Sequence, residues 1–180
     1  MTRLGFASLG IALVVFVAAP AAAQESKSAA LAKQLAAALD AAKIDSVAAA
    51  DPLQPGTFVA ALYFANTQFL VVSAKYSVPQ LLNERLTKKE YRDVYIDLNS
   101  ASLPESKIFI EDVAADGLKA KREENQPYDT YELAGKRTMF DSEWKKQKLT
   151  EQEYMKVFSA ADEQYSHILT TLLSQLKKTS

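Results

Sequence analysis

Apolar residues recur every three or four positions near both ends of the chain, which is the spacing of one face of an α-helix. Near the N-terminus this spacing lies within residues 28–43, at Leu31, Leu35, Leu39 and Ala42. Near the C-terminus it follows a Thr150–Glu153 capping box and includes Phe158, Ala161, Tyr165, Ile168, Leu172 and Leu176. We therefore predict an N-terminal helix and a long C-terminal helix over 151–177, the latter about 40 Å long.

Between these helices the pattern changes to that of β-hairpins. Two apolar runs, 57–64 and 67–74, flank Ala65-Asn66. They predict a hairpin, because Asn tolerates the left-handed backbone that a tight turn needs. Similar runs on either side of Ala134-Gly135 predict a second hairpin.

Two further strands are predicted between the hairpins, over 91–98 and 107–113. The first alternates strictly, so that Asp93, Tyr95 and Asp97 share one of its faces. Alternation favours a face in contact with water, and the alternative is a polar cavity.

The segment before residue 91 carries the signals of a helix start. Ser77 can cap a helix, Gln80 can reach back to the cap, and Pro79 stands in the first turn, where its missing N–H costs nothing. These residues predict a short mid-chain helix from 77 to about 89.

Both faces of the first hairpin are apolar, although an antiparallel strand that faces water on one side should alternate. One face carries Phe58, Ala60, Leu62 and Phe64, and the other carries Val59, Ala61 and Tyr63. We expect a barrel interior to cover one face and a helix or a second subunit the other. A homodimer is the expectation, because a monomer would leave an apolar surface exposed.

The first 23 residues have the layout of a secretory signal peptide. Arg3 is followed by an apolar core over 11–19, by Pro20 and by three alanines at 21–23. A membrane anchor is the alternative, but the apolar stretch is shorter than the roughly 20 residues that span a bilayer. We expect cleavage after Ala23 and an exported chain, periplasmic or secreted. Residues 24–180 would then form a single domain without a membrane span.

Composition excludes several kinds of chemistry. Among 180 residues there is no Cys and one His, and 21 basic residues stand against 22 acidic ones. Disulfides, thiolate metal sites and thiol nucleophiles are therefore excluded, as are sites with several histidines. We expect no metal. The near-zero net charge also predicts no general attraction to nucleic acid.

Two local motifs have an ordinary structural interpretation. His167 lies inside the predicted terminal helix, beside Ile168 and Leu169, which favours a helix-surface histidine over a catalytic base. Residues 112–117 with Glu123 approximate the spacing of a calcium-binding loop. Ala114, however, occupies a ligand position and a strand precedes the motif, so we interpret the match as coincidence.

The stretch from Phe58 to Leu98 resembles the flavin-binding split-barrel proteins related to pyridoxamine 5′-phosphate oxidase. In that family a strand that ends in a small polar residue leads into a short helix, and the next strand returns through the barrel. The resemblance implies a mainly β (α+β) fold, a split antiparallel β-barrel with an N-terminal helix, a short mid-chain helix and a long C-terminal helix. It also implies a phosphate-binding site for FMN at the strand-to-helix turn, with the candidate residues Ser73, Lys75, Tyr76 and Ser77.

Two hypotheses about function remain open at this point. The first is an exported split-barrel protein that binds a small anionic ligand, with FMN as the candidate cofactor; as an enzyme it would be a flavin-dependent oxidoreductase. The second is a non-catalytic structural or protein-interaction module that has lost the cofactor site. It is favoured by the absence of an evident catalytic constellation and of the Arg-Lys pair that the family typically has at this turn.

Overall fold

The computed structural model describes residues 26–43, 47–53, 55–65, 69–76, 81–82, 85–86, 91–98, 108–122, 127–141 and 144–179. For Tyr76, for the strands between 81 and 98 and for the end of the last helix, only the backbone is described. The predicted signal peptide, residues 1–23, and Ser77 lie outside the described residues.

Both terminal helices are confirmed. Helix α1 spans Lys27–Ala41 and helix α2 spans Glu151–Thr179. The predicted capping box begins α2: the Glu153 amide donates to Thr150 Oγ1 at 3.2 Å, and the Thr150 amide donates to Glu153 Oε2 at 2.8 Å. No helix in the described part of the chain is long and apolar enough to cross a membrane.

The strands form one large antiparallel sheet and one small one. In chain order the strands are β1 Ala49–Ala50, β2 Thr57–Phe64, β3 Phe69–Tyr76, β4 Leu81–Leu82, β5 Arg85–Leu86, β6 Tyr91–Leu98, β7 Ile108–Asp112, β8 Thr130–Leu133 and β9 Lys136–Met139. Seven of them pair in the order β1-β2-β3-β6-β7-β8-β9, while β4 pairs with β5 alone. Both predicted hairpins, β2–β3 and β8–β9, are confirmed. The connection between β2 and β3 is longer than the predicted two-residue turn, since Phe64 pairs with Phe69, and Asn66 lies outside the described residues.

Two parts of the expected fold are corrected. No closed barrel forms among the described residues, because β1 and β9 lie at opposite ends of the sheet without pairing to each other. The short mid-chain helix is wrong as well, since Leu81–Leu82 and Arg85–Leu86 are paired strands. A short helix is stabilised mainly by tertiary packing of one of its faces. The capping residues near Ser77 are a local signal and carry no information about such packing.

The core lies between one face of the large sheet and the two helices. We call this the inner face; it contributes Ala60, Phe69, Val71, Ile108, Ile110 and Tyr131. Leu35 and Leu39 of α1 and Leu169 and Leu172 of α2 are completely or almost completely buried against it. Because helices cover the inner face, the sheet buries its apolar side without closing on itself.

Candidate functional site

The residues predicted to bind FMN lie at the end of β3. Ser73 and Lys75 share the inner side of the strand, but Ser73 is only 1% exposed, so its hydroxyl is enclosed by protein. Tyr76 is the last residue of β3 and pairs with Tyr91. The described part of the following segment is β4 and β5 and contains no helix start that would supply amide groups to a phosphate.

The most unusual chemical environment in the described chain is that of Asp112, which ends β7 and is completely buried. Its Oδ1 accepts hydrogen bonds from the amides of Asp116 and Gly117, both at 3.2 Å. Its Oδ2 accepts from the Gly117 amide at 3.1 Å and from the Tyr165 hydroxyl at 2.7 Å. The carboxylate therefore ties the loop after β7 to helix α2.

Asp129, just before β8, holds the same loop from the other side. Its Oδ1 accepts from the Val113 amide at 2.9 Å, and its Oδ2 accepts from the Lys119 amide at 2.7 Å. The Lys119 ammonium donates to Asp116 Oδ2 at 2.7 Å. Asp129 thus binds the amides at both ends of the loop from Val113 to Lys119, and Asp112 binds two amides inside it.

Burial dominates the titration of this cluster. It raises the pKa of Asp112 to about 7, against the opposing hydrogen bond from Tyr165. Burial, reinforced by the charge of Asp112, also raises the pKa of Asp129 well above its ordinary value. The pKa of the buried Tyr165 is raised as well, so its hydroxyl stays protonated and donates.

The cluster is built to hold backbone, and its carboxylates are not presented to a substrate. All four carboxylate oxygens of Asp112 and Asp129 accept from amides of the loop, and both residues are buried. No group of three or more His, Asp or Glu side chains among the described residues could hold a metal ion. In the segment whose spacing approximates a calcium-binding loop, the first aspartate, Asp112, thus accepts hydrogen bonds from the Gly117 amide and the Tyr165 hydroxyl.

A groove beside α2 contains His167. It has a volume of about 700 Å³ and lies between the helix and the β8–β9 hairpin, with Tyr131, Leu133, Gln164 and Lys27 among its lining residues. The Tyr131 hydroxyl already donates to Gln164, and the ammonium of Lys27 lies 3.9 Å from the Glu163 carboxylate. His167 is exposed on the helix, as its interpretation as a helix-surface histidine predicted. The Ser166 and Thr170 hydroxyls, which also line the groove, donate to backbone carbonyls of α2 and not to the His167 ring.

The side of the large sheet that points away from the helices is its outer face. Residues directly opposite each other in an antiparallel pair share a face, so the register defines this surface. Among the residues whose side chains are described, it includes Val59, Ala61, Tyr63, Leu70, Val72, Ala74, Phe109, Glu111, Thr130, Glu132, Arg137 and Met139. On the β6 backbone, the positions of Asp93, Tyr95 and Asp97 belong to the same face.

The β2–β3 part of the outer face leaves apolar groups in contact with solvent. Tyr63 is 65% exposed and Ala61 is also exposed, while Leu70 and Val72 beside them are half-buried. Val59 and Ala74 are partly covered by Val113 and Ala114 of the turn after β7. The prediction that a helix or a second subunit covers this side is not met by α1 or α2, which pack on the inner face.

The β7–β9 part of the outer face is polar and aromatic. Arg137 Nε lies 2.8 Å from Glu132 Oε2, and the guanidinium carbon lies 5.5 Å from the centre of the Phe109 ring. Burial raises the pKa of Glu111, and its hydrogen bond to Thr130 and the charge of Arg137 offset only part of that rise.

Comparisons of the chain with family models, with curated proteins and with solved structures find no match. The resemblance to the flavin-binding split-barrel proteins therefore stays a prediction. Sequence reasoning identified the apolar hairpin face, but it had no signal for the environments of Asp129 and Tyr165, which depend on contacts distant in sequence.

Proposed function

We propose that this chain is a non-catalytic protein-interaction module and that the outer face is its binding surface. This is the second of the two functional hypotheses that the sequence left open. In this proposal the chain is exported and residues 1–23 are removed as a signal peptide. Under this proposal the helices and the buried aspartates form a scaffold, and the sheet presents the surface that recognises a partner.

The exposure of Tyr63 is the observation that carries this proposal. A tyrosine that is 65% exposed stands beside exposed Ala61 and half-buried Leu70 and Val72, on a sheet face that neither helix covers. Aromatic residues on a regular element are typical anchors of protein interfaces, because they add large contact area at little cost in conformational entropy.

Two features favour an interaction module over a flavin protein. Ser73, which should hydrogen-bond to the phosphate, is enclosed on the inner face. The chain's buried carboxylates bind its own amides, which is the use of a scaffold and not of a catalytic site.

Site-specific photo-cross-linking in the producing organism tests the proposal. A benzophenone amino acid replaces Tyr63 in one variant and Met155, which is 45% exposed on α2, in a matched control. We expect strong cross-links from position 63 and weak ones from position 155. A homodimer, which stays a prediction, would appear as a cross-link between two copies of the chain.

Titration with FMN tests the competing hypothesis, in which the chain binds a small anionic ligand. The interaction module should show no saturable change in flavin absorbance or fluorescence. Saturable FMN binding that Lys75→Ala weakens, together with equal cross-linking from positions 63 and 155, would overturn the proposal in favour of the ligand-binding hypothesis.

A further inference from the structure

The β9 end of the large sheet is protected against pairing with another strand. The Phe140 amide donates to the Asp129 carbonyl at 2.9 Å, so the backbone of the preceding residue, Met139, points away from β8. Gln147 binds that backbone: its Oε1 accepts from the Met139 amide at 3.0 Å, and its Nε2 donates to the Met139 carbonyl at 2.6 Å. Strand β9 also carries an exposed Lys-Arg pair. Occupied backbone groups and edge charges both disfavour the addition of a strand.

At the opposite end of the sheet, β1 covers only the first part of the β2 edge. The Asp51 amide donates to the Thr57 carbonyl at 2.9 Å, so alternate residues of β2 from Thr57 onward direct their backbone toward this edge. Pairing with β1 ends at Val59. Among the described residues, no other strand bonds to the edge-directed backbone of Ala61 and Tyr63.

This open part of β2 has none of the protection found at β9. The sequence from Phe58 to Phe64 is FVAALYF, which contains no charge, no proline and no glycine. The side chains of Ala61 and Tyr63 are exposed as well. An uncharged strand with free edge groups is a template on which a further strand can pair.

We propose that the chain forms a two-fold dimer in which the open β2 edges of two copies pair antiparallel and join the two large sheets into one. A second copy suits this edge because the edge is uncharged, so a two-fold axis brings no like charges together. The inference goes beyond the proposed function, in which the outer face recognises a partner. The dimer contact lies along the sheet edge and leaves most of the outer face accessible.

One register uses both open residues of each copy. With Leu62 on the two-fold axis, Ala61 lies opposite Tyr63 of the second copy, and each such pair can exchange two hydrogen bonds. An axis at Ala61 would require Val59 to pair, although Val59 already pairs with β1. An axis at Tyr63 would leave Ala61 without a partner inside the strand. The Leu62 register also places a small side chain beside an aromatic ring on the outer face, which favours cross-strand packing.

Single cysteines test this register, because the chain has none of its own. On the axis, the Cα atoms of the two Leu62 residues would lie about 4.5 Å apart, which is within the range of a disulfide. Phe64 is the matched control, since it is half-buried on the same face but its two copies would be about 13 Å apart or more. Under mild oxidation of the mature chain, Leu62→Cys should give at least about fivefold more disulfide-linked dimer than Phe64→Cys.

Analytical ultracentrifugation measures the association without a cross-link. An edge contact is smaller than a standard interface, so we expect a dissociation constant on the order of micromolar for the mature chain. Ala61→Pro removes an edge-directed N–H without breaking the pairing with β3, and Tyr63→Lys adds a charge to the edge. Each should weaken the dimer by about tenfold or more. Met155→Lys adds the same charge on exposed α2 and should leave the dimer unchanged.

Three results would overturn the inference: a monomer at concentrations up to about 200 µM, equal disulfide yields from positions 62 and 64, or equal effects of Tyr63→Lys and Met155→Lys. Circular dichroism checks that the variants fold, and Tyr63→Lys, at an exposed position, keeps the test decisive if Ala61→Pro does not. Photo-cross-linking from position 63 separates this inference from the proposed function. A monomer that captures a different protein retains the proposed function alone. A dimer whose cross-links join only two copies confirms the edge pairing and leaves recognition of a different protein unsupported.

Discussion

At the scale of single residues, Asp112 shows how a buried carboxylate can be held by hydrogen-bond donors, with no cation in contact with it among the described residues. Amides of Asp116 and Gly117 and the Tyr165 hydroxyl supply its donors. The loop reaches this arrangement through left-handed backbone at Ala114 and Ala115, with φ of 72° and 48°. Successive amides that converge in this way form an anion cradle, and here the chain fills it with its own carboxylate.

Because of this burial, we predict that stability falls as the pH rises from about 4 to about 7. The pKa of Asp112 rises from 3.8 to about 7 on folding, so over that range the folded chain holds a proton that the unfolded chain has released. At about 1.4 kcal/mol per pKa unit, the free energy of unfolding should decrease by on the order of 2–4 kcal/mol. Urea unfolding at pH 5 and pH 8 measures the difference.

Asp112→Asn is the control for that titration. The amide oxygen keeps an acceptor for the Asp116 and Gly117 N–H groups, whereas the amide NH₂ replaces the acceptor of the Tyr165 hydroxyl and reverses that hydrogen bond. The side chain then has no proton to lose. The loss of stability between pH 5 and pH 8 should shrink, with a remainder from Asp129, whose pKa is raised in the same direction. An unchanged slope in this variant would assign the titration to other groups.

Gly117 is the second residue whose environment makes a sharp prediction. Its φ is +92°, and an added Cβ would lie 2.4 Å from the Ala29 Cα in α1. Gly117→Ala should therefore cost about 3 kcal/mol or more, because backbone has to move. Gly135→Ala is a matched control: its φ is +80° but nothing lies within 4 Å, so only the backbone strain of about 1 kcal/mol remains. Equal losses in thermal unfolding would contradict this account.

At the scale of elements, α1 is capped by another helix. Asp162 of α2 accepts from the amides of Lys27 at 2.7 Å and Ser28 at 3.0 Å, while the nominal cap residue Ser26 makes no side-chain cap bond. The Ser28 hydroxyl in turn accepts from the Leu118 amide at 3.0 Å. Helix α1 is thereby fastened both to α2 and to the loop that Asp112 and Asp129 hold.

We predict that Asp162→Ala lowers the free energy of unfolding by about 2 kcal/mol, since it leaves two helix N-terminal amides without their acceptor. Glu163→Ala, one residue further on, removes only an exposed pair with Lys27 at 3.9 Å and should cost less than about 0.5 kcal/mol. Denaturant midpoints of the two variants make the comparison. If both lose the same amount, the cap contributes nothing.

The β8–β9 turn offers a stabilising change. Ala134 and Gly135 have φ of 49° and 80°, which is the two-residue turn that suits Asn-Gly. Ala134 is exposed and pays the strain of a left-handed alanine. Ala134→Asn should therefore raise the free energy of unfolding by about 0.5–1 kcal/mol, visible as a higher melting temperature. A lower melting temperature would show that the turn is not strained at this position.

At the scale of the whole molecule, the packing of the two helices determines which face of the large sheet is exposed to solvent. They cover the inner face and leave Ala61 and Tyr63 of the β2–β3 hairpin exposed. The hairpin that the sequence marked as apolar on both faces therefore has one face in the core and one available to a partner. This is the physical basis of the proposed interaction surface.

The N-terminal residue of the exported protein tests the predicted signal peptide. Arg3, the apolar core and the three alanines at 21–23 predict cleavage after Ala23, so the exported protein should begin at Gln24. Mass spectrometry of the protein recovered from outside the cytoplasm measures this directly. An intact Met1 there would contradict this prediction and favour the alternative, in which residues 1–23 are an uncleaved membrane anchor.

The sequence by itself determined the features that depend on neighbours within a few positions. The spacing of apolar residues predicted α1 and α2, the Thr150–Glu153 box predicted where α2 begins, and the runs around Ala134-Gly135 predicted the β8–β9 hairpin. Side-chain period and turn chemistry are local, so these predictions needed no knowledge of the rest of the chain. The apolar character of the β2 face that carries Ala61 and Tyr63 was likewise evident from the sequence alone.

Only the tertiary structure decided what those elements do to one another. Asp162 caps a helix that begins 135 residues earlier, and Asp112 meets a tyrosine 53 residues later. The sheet stays open where a barrel was expected, because two helices packed on one face remove the need to close it. Such choices rest on contacts between distant segments. A pattern along the chain shows which side chains need burial or a hydrogen-bond partner, but the packed fold determines which partner each one finds.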